Sequence, residues 1–192
     1  MALPKKEERF TYTDYCTWDD GERWELIDGV AYAMSPAPSW RHQSCSIALS
    51  AKIFNFLEGK PCEVFHAPFD VRLNADTYDD IVVQPDIVVI CDESKISGTG
   101  CVGAPDMVIE ILSPSTAAHD RFLKFKIYLQ AGVREYWIVD PDTKTLAVHI
   151  LKNDEYTIRV FGEKDRAPVH VLEGLTIELK EIFADRIDVE QQ

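Results

Sequence analysis

The chain has 192 residues, with 33 acidic and 20 basic side chains and a formal net charge of −13. A hydrophobic fraction of 46% and a charged fraction of 28% are typical of a globular protein with one sizeable core, and they exclude disordered, collagen-like and coiled-coil chains. No apolar stretch approaches the ~20 residues of a membrane span, and none resembles a secretory signal. We therefore expect a soluble, cytoplasmic protein without a membrane partner.

The acidic balance argues against non-specific nucleic-acid binding, which depends on Lys and Arg neutralising phosphates. It does not exclude an enzyme that collects carboxylates around a metal ion. The cysteines are odd in number, irregularly spaced and without a C-x-x-C pair, so we expect reduced thiols rather than disulfides. They are Cys16, Cys45, Cys62, Cys91 and Cys101.

The N-terminal third of the chain predicts a hairpin followed by a helix. A short helix or turn over residues 10–18 comes first. Two apolar runs within 24–34 then flank Asp28-Gly29, and this dipeptide is the strongest short-range hairpin signal. Apolar residues at helical spacing predict an amphipathic helix over 42–57.

The rest of the chain alternates strand-like runs with one long helical segment. Ser and Thr at 113–116 offer N-cap chemistry for a helix that ends at Ala131, and Gly132 stands where a helix C′ glycine belongs. Residues 107–140 should therefore form a parallel strand–helix–strand unit. Strands are predicted over 63–66, 69–73, 87–91, 107–112 and 135–140, and antiparallel edge strands over 145–151, 156–161 and 169–172.

The element order predicts an α/β fold with a mixed central sheet flanked by helices, an N-terminal hairpin and C-terminal antiparallel strands. Residues 1–9 are expected to be a flexible tail, and residues 10–192 a single domain.

Glu110 is the most informative residue, because the run 107–112 around it must be buried. An unpaired ionised carboxylate there is costly, so Glu110 needs a cation, a metal or a raised pKa. Asp86 opens the preceding strand, and consecutive strands are usually sheet neighbours. Two carboxylates that converge at strand ends make an oxygen-ligand site suited to Mg²⁺ or Mn²⁺.

Asp120 and Lys124 lie four residues apart on the following helix, and hence on one face. One interpretation is a surface ion pair worth roughly 0.2 to 0.5 kcal/mol. The other places the Lys124 ammonium over the sheet beside Glu110. Tyr128 and Ala131, next along the same face, indicate that part of this face packs inward.

These motifs resemble the Uma-type restriction endonuclease family, which is similar to the PD-(D/E)xK nuclease superfamily. The likeness runs from about residue 10 to about residue 160, and residues 104–140 carry its specific part. The matching motifs are Pro85-Asp86, Pro105-Asp106 with residues 107–116, Asp120-Arg121 with Lys124 and Tyr128, Gly132-Val133, and Glu135-Tyr136-Trp137-Ile138-Val139-Asp140, together with Glu25-Leu26-Ile27-Asp28-Gly29 and His42 in the N-terminal part.

The resemblance implies a restriction-endonuclease-like core and a Mg²⁺- or Mn²⁺-dependent endonuclease, a phosphodiester hydrolase whose expected substrate is DNA. Asp86 and Glu110 match the metal ligands, with the Ile111 carbonyl as a third. The lysine that the superfamily pattern has two residues after the Glu is replaced by Leu112, and Lys124 is the candidate for a lysine that has moved to the helix.

Asp120, Glu25 and His42 are expected to support this site, each against the simpler interpretation of a cap or surface residue. A homodimer is expected, because cleavage of a duplex needs two active centres. The alternative, from a different functional class, is a catalytically inactive binding or regulatory module that keeps the nuclease fold after loss of the usual lysine.

Three other patterns are weighed and set aside. Residues 98–103 fit G-x-G-x-x-G, but a strand rather than a helix follows, so a flexible loop is predicted instead of a dinucleotide site. A serine hydrolase is disfavoured because no G-x-S-x-G elbow surrounds Ser113 or Ser115. A zinc site is also disfavoured, since ordinary buried cysteines are commoner than ligands at this spacing. Its four residues would be His42, Cys45, Cys62 and His66.

Overall fold

The structure is a computed structural model and describes residues 9–34, 37–113 and 119–184, with 119–121 described by their backbone. Its helices are α1 (Tyr12–Tyr15), α2 (Trp40–Leu57), α3 (Phe125–Ala131) and α4 (Leu179–Ile182), with a 3₁₀ turn at Glu93–Lys95 and a π-helical segment at His119–Lys124. Its strands are β1 (Trp24–Ile27), β2 (Val30–Ala33), β3 (Glu63–His66), β4 (Asp70–Arg72), β5 (Val82–Val83), β6 (Ile87–Ile90), β7 (Gly100–Val102), β8 (Met107–Ile111), β9 (Glu135–Asp140), β10 (Thr145–Lys152), β11 (Glu155–Gly162), β12 (Arg166–Pro168) and β13 (Thr176–Glu178).

A six-stranded mixed sheet forms the centre of the fold, in the order β11-β10-β9-β8-β6-β3. Strands β8 and β9 are parallel, and the other pairs in this sheet are antiparallel. The predicted parallel strand–helix–strand unit and the predicted pairing of β6 with β8 are both confirmed. A helical crossover is required here because parallel neighbours cannot be joined by a tight turn.

A second, five-stranded sheet has the order β2-β1-β5-β4-β7. The predicted hairpin of β1 and β2 is confirmed, and its turn uses the positive φ angles of Asp28 (50°) and Gly29 (74°). Residues 98–103 were predicted to be a loop, and this is wrong for β7, which pairs parallel to β4. A Cβ on Gly100 would lie 2.0 Å from the carbonyl oxygen of Asp70, so this close approach requires glycine.

The apolar core lies on both faces of the six-stranded sheet. Helix α2 packs on one face through Leu49 and Ile53, which join Trp137 in one cluster. On the other face, Tyr128 of α3 joins Val71 of the five-stranded sheet in a second cluster. The mixed sheet flanked by helices is the predicted fold class. No helix in the described ranges is both long and apolar enough to cross a membrane.

Two helix ends show defined capping, and the one at Gly132 was predicted. Helix α3 ends at Gly132, whose φ of 84° is the left-handed conformation predicted for it. Helix α2 begins after Ser39, whose hydroxyl accepts a hydrogen bond from the His42 amide at 3.3 Å. The predicted N-cap at 114–116 lies outside the described residues, as does the predicted tail except for Arg9.

The predicted edge strand over 169–172 is wrong. A separate two-stranded sheet, β12 with β13, occupies this region, and residues 169–172 lie in the connection between its strands. Val169 and Leu172 are apolar because they pack into the core on the α2 face of the sheet, not because they belong to a ladder.

The prediction that the cysteines are reduced is wrong for Cys62 and Cys91, which form a disulfide. Strands β3 and β6 pair Glu63 with Ile90, so the residues one step beyond this pair also face each other across the strands. Their Cα atoms lie 4.0 Å apart. The pairing follows from strand register, which a separation of 29 residues along the chain does not reveal. The cytoplasmic location stays a prediction.

Candidate active site

Strand pairing brings Asp86 and Glu110 to the same place. Ile87 of β6 lies opposite Ile109 of β8, so Asp86, one residue before β6, lies opposite Glu110 on the same face of the sheet. The Ile111 amide donates a hydrogen bond to Oδ2 of Asp86 at 2.7 Å. The Asp86 side chain is 21% exposed and that of Glu110 is 4% exposed, so the two carboxylates line the boundary between core and solvent.

Lys124 lies between two carboxylates. Its Nζ is 2.9 Å from Oε1 of Glu110 and 2.9 Å from Oε1 of Glu25. The side chains of Lys124 and Glu25 are 5% and 6% exposed. A buried ammonium is stable only when it is paired. The contacts of Lys124 with Glu25 and Glu110 replace part of the hydration that all three side chains lose on burial. Lys124 is therefore not on a solvated helix face.

Tyr128 completes this group and was not among the residues predicted for the site. Its hydroxyl donates to Oε1 of Glu110 at 2.7 Å, the same oxygen that Lys124 contacts. Burial, together with the negative charges of Glu110 and Glu25, raises the pKa of Tyr128 well above its ordinary value. Tyr128 is therefore a neutral donor. Its place four residues after Lys124 predicted that it packs inward but not that its hydroxyl binds Glu110.

Glu25 reaches the site from the five-stranded sheet. Strand β1 pairs Leu26 with Val82 of β5, and the chain beyond β5 brings the Gln84 amide 2.9 Å from Oε1 of Glu25. This oxygen thus accepts from a backbone amide as well as from Lys124. The Gln84 contribution was not predicted, because a backbone donor carries no signature in the sequence.

His42, in the first turn of α2, contacts Asp86. Its Nε2 lies 3.2 Å from Oδ2 of Asp86, and its side chain is 9% exposed. The other ring nitrogen, Nδ1, is buried and has no hydrogen-bond partner among the described residues. The disfavoured zinc site is excluded for Cys62, because that sulfur is bonded to Cys91.

Residues 11–180 match the Uma2 family, which is described as a family of putative restriction endonucleases. The chain belongs to the Uma2 family. Its resemblance to this family is thus confirmed over most of the chain. The chain is also 31% identical over 145 residues to the uncharacterized protein slr1290 of Synechocystis sp., an alignment that covers 74% of each chain.

The fold is shared with a solved structure. A putative nuclease belonging to DUF820 from Anabaena variabilis superposes with a TM-score of 0.73 at 21% identity, over 91% of this chain and 97% of that chain. The predicted restriction-endonuclease-like α/β fold is confirmed by this similarity. The identity of the family supports a nuclease.

Of the residues predicted for the Uma2 site, the structure brings six into two touching groups. Lys124 contacts Glu110 and Glu25, while Asp86 contacts His42 and the Ile111 amide. The side chain of Asp120, the remaining predicted residue, lies outside those the structure describes.

The donor chemistry of the site fits a hard divalent cation. Asp86 and Glu110 would supply carboxylate oxygens to such an ion, and Ile111 would supply a backbone carbonyl. Within the described ranges, no three or more His, Cys, Asp or Glu residues cluster as a metal-binding group. Mg²⁺ usually takes one or two carboxylates and keeps waters or substrate oxygens as its other ligands.

Proposed function

We propose that this Uma2 protein is a metal-dependent endonuclease that hydrolyses phosphodiester bonds in DNA. The observation that carries the proposal is the 2.9 Å contact between Lys124 Nζ and Glu110 Oε1. It supports a site in which a lysine from the helix replaces the one missing at position 112. Asp86, Glu110 and the Ile111 carbonyl are the proposed ligands of Mg²⁺ or Mn²⁺.

A bound divalent ion would polarise a phosphodiester oxygen and lower the pKa of a coordinated water. Lys124 has the complementary task of orienting the attacking water and offsetting negative charge on the phosphate. Its position against Glu110 suits this task, because it places the ammonium next to a proposed metal ligand. Glu25 holds the other side of the Lys124 ammonium and so limits its rotation.

The remaining side chains keep the carboxylates in place. Tyr128 orients Glu110 through its hydroxyl, and His42 orients Asp86 through Nε2. In the proposal, Asp120 supports Lys124 from the same helical face. Metal ligands that are themselves hydrogen-bonded are held in one orientation, which is why such contacts affect metal affinity.

The substrate and the assembly belong to the same proposal. DNA is the proposed substrate because the family is described as one of restriction endonucleases, which are enzymes that cut DNA. The protein is proposed to act as a homodimer, since two centres are needed to cut both strands of a duplex. With a net charge of −13, the chain depends on its metal ions for phosphate contact, so binding should weaken in EDTA and at high salt.

The test is cleavage of supercoiled plasmid, single-stranded DNA and RNA with Mg²⁺ or Mn²⁺, and with EDTA. We expect metal-dependent nicking of the plasmid by the wild type and none by Asp86→Asn or Glu110→Gln. The thermal stability of each protein is measured with and without metal in the same buffers. Binding to the folded state raises the melting temperature, so the wild type should gain stability and Asp86→Asn should not.

Two outcomes contradict the proposal. Cleavage that survives both substitutions means that another site or a contaminant is responsible. Absence of cleavage on every substrate, together with no metal-dependent stabilisation, identifies the inactive binding module instead.

A further inference from the structure

Strand β11 is a long, open edge of the central sheet. It spans Glu155–Gly162 and pairs with β10, and among the described strands it is the last in its sheet. An edge strand presents unpaired amides and carbonyls that can pair with another chain. Proteins usually protect such an edge with charges, prolines or a short strand.

The hairpin turn determines which backbone groups face outward. Asn153 and Asp154, with φ angles of 52° and 64°, form a two-residue turn closed by the pair Lys152 and Glu155. Such a turn is closed by a hydrogen-bonded pair, and these pairs then alternate along the ladder with non-hydrogen-bonded pairs. The β11 residues with outward amides and carbonyls are therefore Tyr156, Ile158 and Val160.

Two hydrogen bonds at the ends of the hairpin support this alternation. Leu151, which lies opposite Tyr156, donates its amide away from β11 to the Arg134 carbonyl. Gly162, next in the outward series, donates its amide away from β10 to the Asp165 carboxylate at 2.8 Å. No backbone or side-chain partner within the described part of the chain reaches the outward groups of Tyr156, Ile158 or Val160.

The middle of β11 is uncovered on both faces. Ile158 is 53% exposed and Val160 is 69% exposed on one face, while Thr157 and Arg159 are exposed on the other. This segment contains no proline, and Arg159 is its one charged residue between Tyr156 and Phe161. Apart from the charges of Glu155 and Arg159, the edge lacks the usual features that prevent pairing, and it has apolar side chains that favour pairing.

We propose that β11 pairs antiparallel with β11 of a second copy, about a two-fold axis through Thr157. In this register Glu155 lies opposite Arg159 of the other copy, and the same contact recurs on the far side of the axis. Tyr156 and Ile158, whose backbone groups face outward, form the hydrogen-bonded pairs. The two central sheets then form one continuous sheet. This strand pairing is the interface of the homodimer in the proposed function. It does not depend on the chemistry of the active site.

Charge selects a second copy as the occupant and this register as the arrangement. One acidic and one basic residue, four apart on the same face, are self-complementary only in an antiparallel pair centred between them. A register centred on Arg159 would place that residue opposite itself, which is destabilising. Because the two-fold axis repeats the favourable contact, each chain contributes Glu155 to one pair and Arg159 to the other.

The first test is sedimentation of the full chain as wild type, Arg159→Glu and the double variant Glu155→Arg/Arg159→Glu. The wild type should sediment as a dimer, and the single variant as a monomer because it places like charges opposite each other twice. The double variant reverses both charges and should restore the dimer. Unchanged circular dichroism and melting behaviour of the monomeric variant shows that it remains folded, as expected for an exposed position.

The second test is oxidative cross-linking in a Cys16→Ser background, which removes the exposed free thiol. Residues opposite each other in a non-hydrogen-bonded pair have Cα atoms roughly 4.5 Å apart, within the range that a disulfide spans. Thr157→Cys should therefore form a covalent dimer. Val160→Cys is the matched control, since the axis keeps its two copies far apart.

A monomeric wild type at all concentrations, or a double variant that stays monomeric, overturns the proposal. Preferential cross-linking of Ile158→Cys over Thr157→Cys also overturns it, because that result places the axis elsewhere. Sedimentation measures association alone, so its failure leaves the nuclease proposal to the cleavage assay.

Discussion

The hydroxyl of Tyr128 donates to Oε1 of Glu110 at 2.7 Å, in the interior of the protein. Because the same oxygen also contacts Lys124, one carboxylate oxygen joins the helix to the sheet through two donors. The carboxylate that we assign to the metal is therefore fixed before any ion or substrate arrives. Preorganisation of this kind reduces what must be ordered during the reaction.

Tyr128→Phe should destabilise the fold by about 1.5–3 kcal/mol, the usual range for a hydrogen bond to a charged group. It should also lower the cleavage rate, since Glu110 loses a hydrogen bond that helps to orient it. Urea unfolding measures the first effect and plasmid nicking the second. Tyr78→Phe is the control, because Tyr78 is 80% exposed. Equal stability of Tyr128→Phe and the wild type would show that the hydroxyl is not bonded in solution.

Lys124 and Glu110 should be strongly coupled in a double-mutant cycle. Lys124→Met leaves two buried carboxylates without their cation, and breaking a buried pair in this way typically costs roughly 3–5 kcal/mol. Glu110→Gln should then cost much less in the Lys124→Met background than in the wild type. Urea unfolding of the four proteins in EDTA gives the coupling energy. Additive effects would mean that the two side chains do not interact.

His149 should titrate below its ordinary pKa of 6.5. Burial lowers the pKa of His149, although the bond from Nδ1 to the Tyr136 carbonyl acts in the opposite direction. Because the fold favours the neutral ring, His149 contributes stability that is fully present above pH 6.5 and is lost as the pH falls through its folded-state pKa.

Two measurements check this expectation. The His149 ring resonance should titrate with a midpoint below 6.5, and the wild type should lose more stability than His149→Asn between neutral and mildly acidic pH. A midpoint at or above 6.5 would contradict the buried position of the ring.

The disulfide between Cys62 and Cys91 closes a loop with a sequence separation of 29 residues. Replacing both cysteines by serine should lower the free energy of unfolding by roughly 3 kcal/mol, mainly because the unfolded chain gains freedom. Cys16→Ser is the matched control, since Cys16 is exposed and unbonded to another cysteine. Mass spectrometry of the unreduced protein checks the bond directly. Finding both thiols free would contradict it.

Local patterns in the sequence predicted much of the fold. The Asp28-Gly29 turn, the glycine at the end of α3 and the buried run of β8 each depend on neighbouring residues, so their positions could be inferred correctly. The strand error at 169–172 arose because apolar side chains can fill a core from a loop as well as from a strand.

The part of the site that surrounds the buried carboxylate of Glu110 could be predicted from the sequence. A carboxylate inside an apolar strand needs a partner, and this requirement pointed from Glu110 to Lys124. Tyr128 and Gln84 were missed because one is an ordinary core residue by pattern and the other acts partly through its backbone. The Cys62–Cys91 bond was missed because it depends on strand register.

In the proposed function, Lys124 serves the hydrolysis of a phosphodiester bond beside Glu110. The decisive measurement is the Mn²⁺-dependent nicking rate of Lys124→Met, compared with that of Lys126→Met. Lys126→Met is the control because Lys126 is a nearby lysine that is exposed. We expect Lys124→Met to abolish nicking while its melting temperature still rises with Mn²⁺, and Lys126→Met to cut like the wild type. Undiminished nicking by a folded Lys124→Met would show that Lys124 is not needed for hydrolysis.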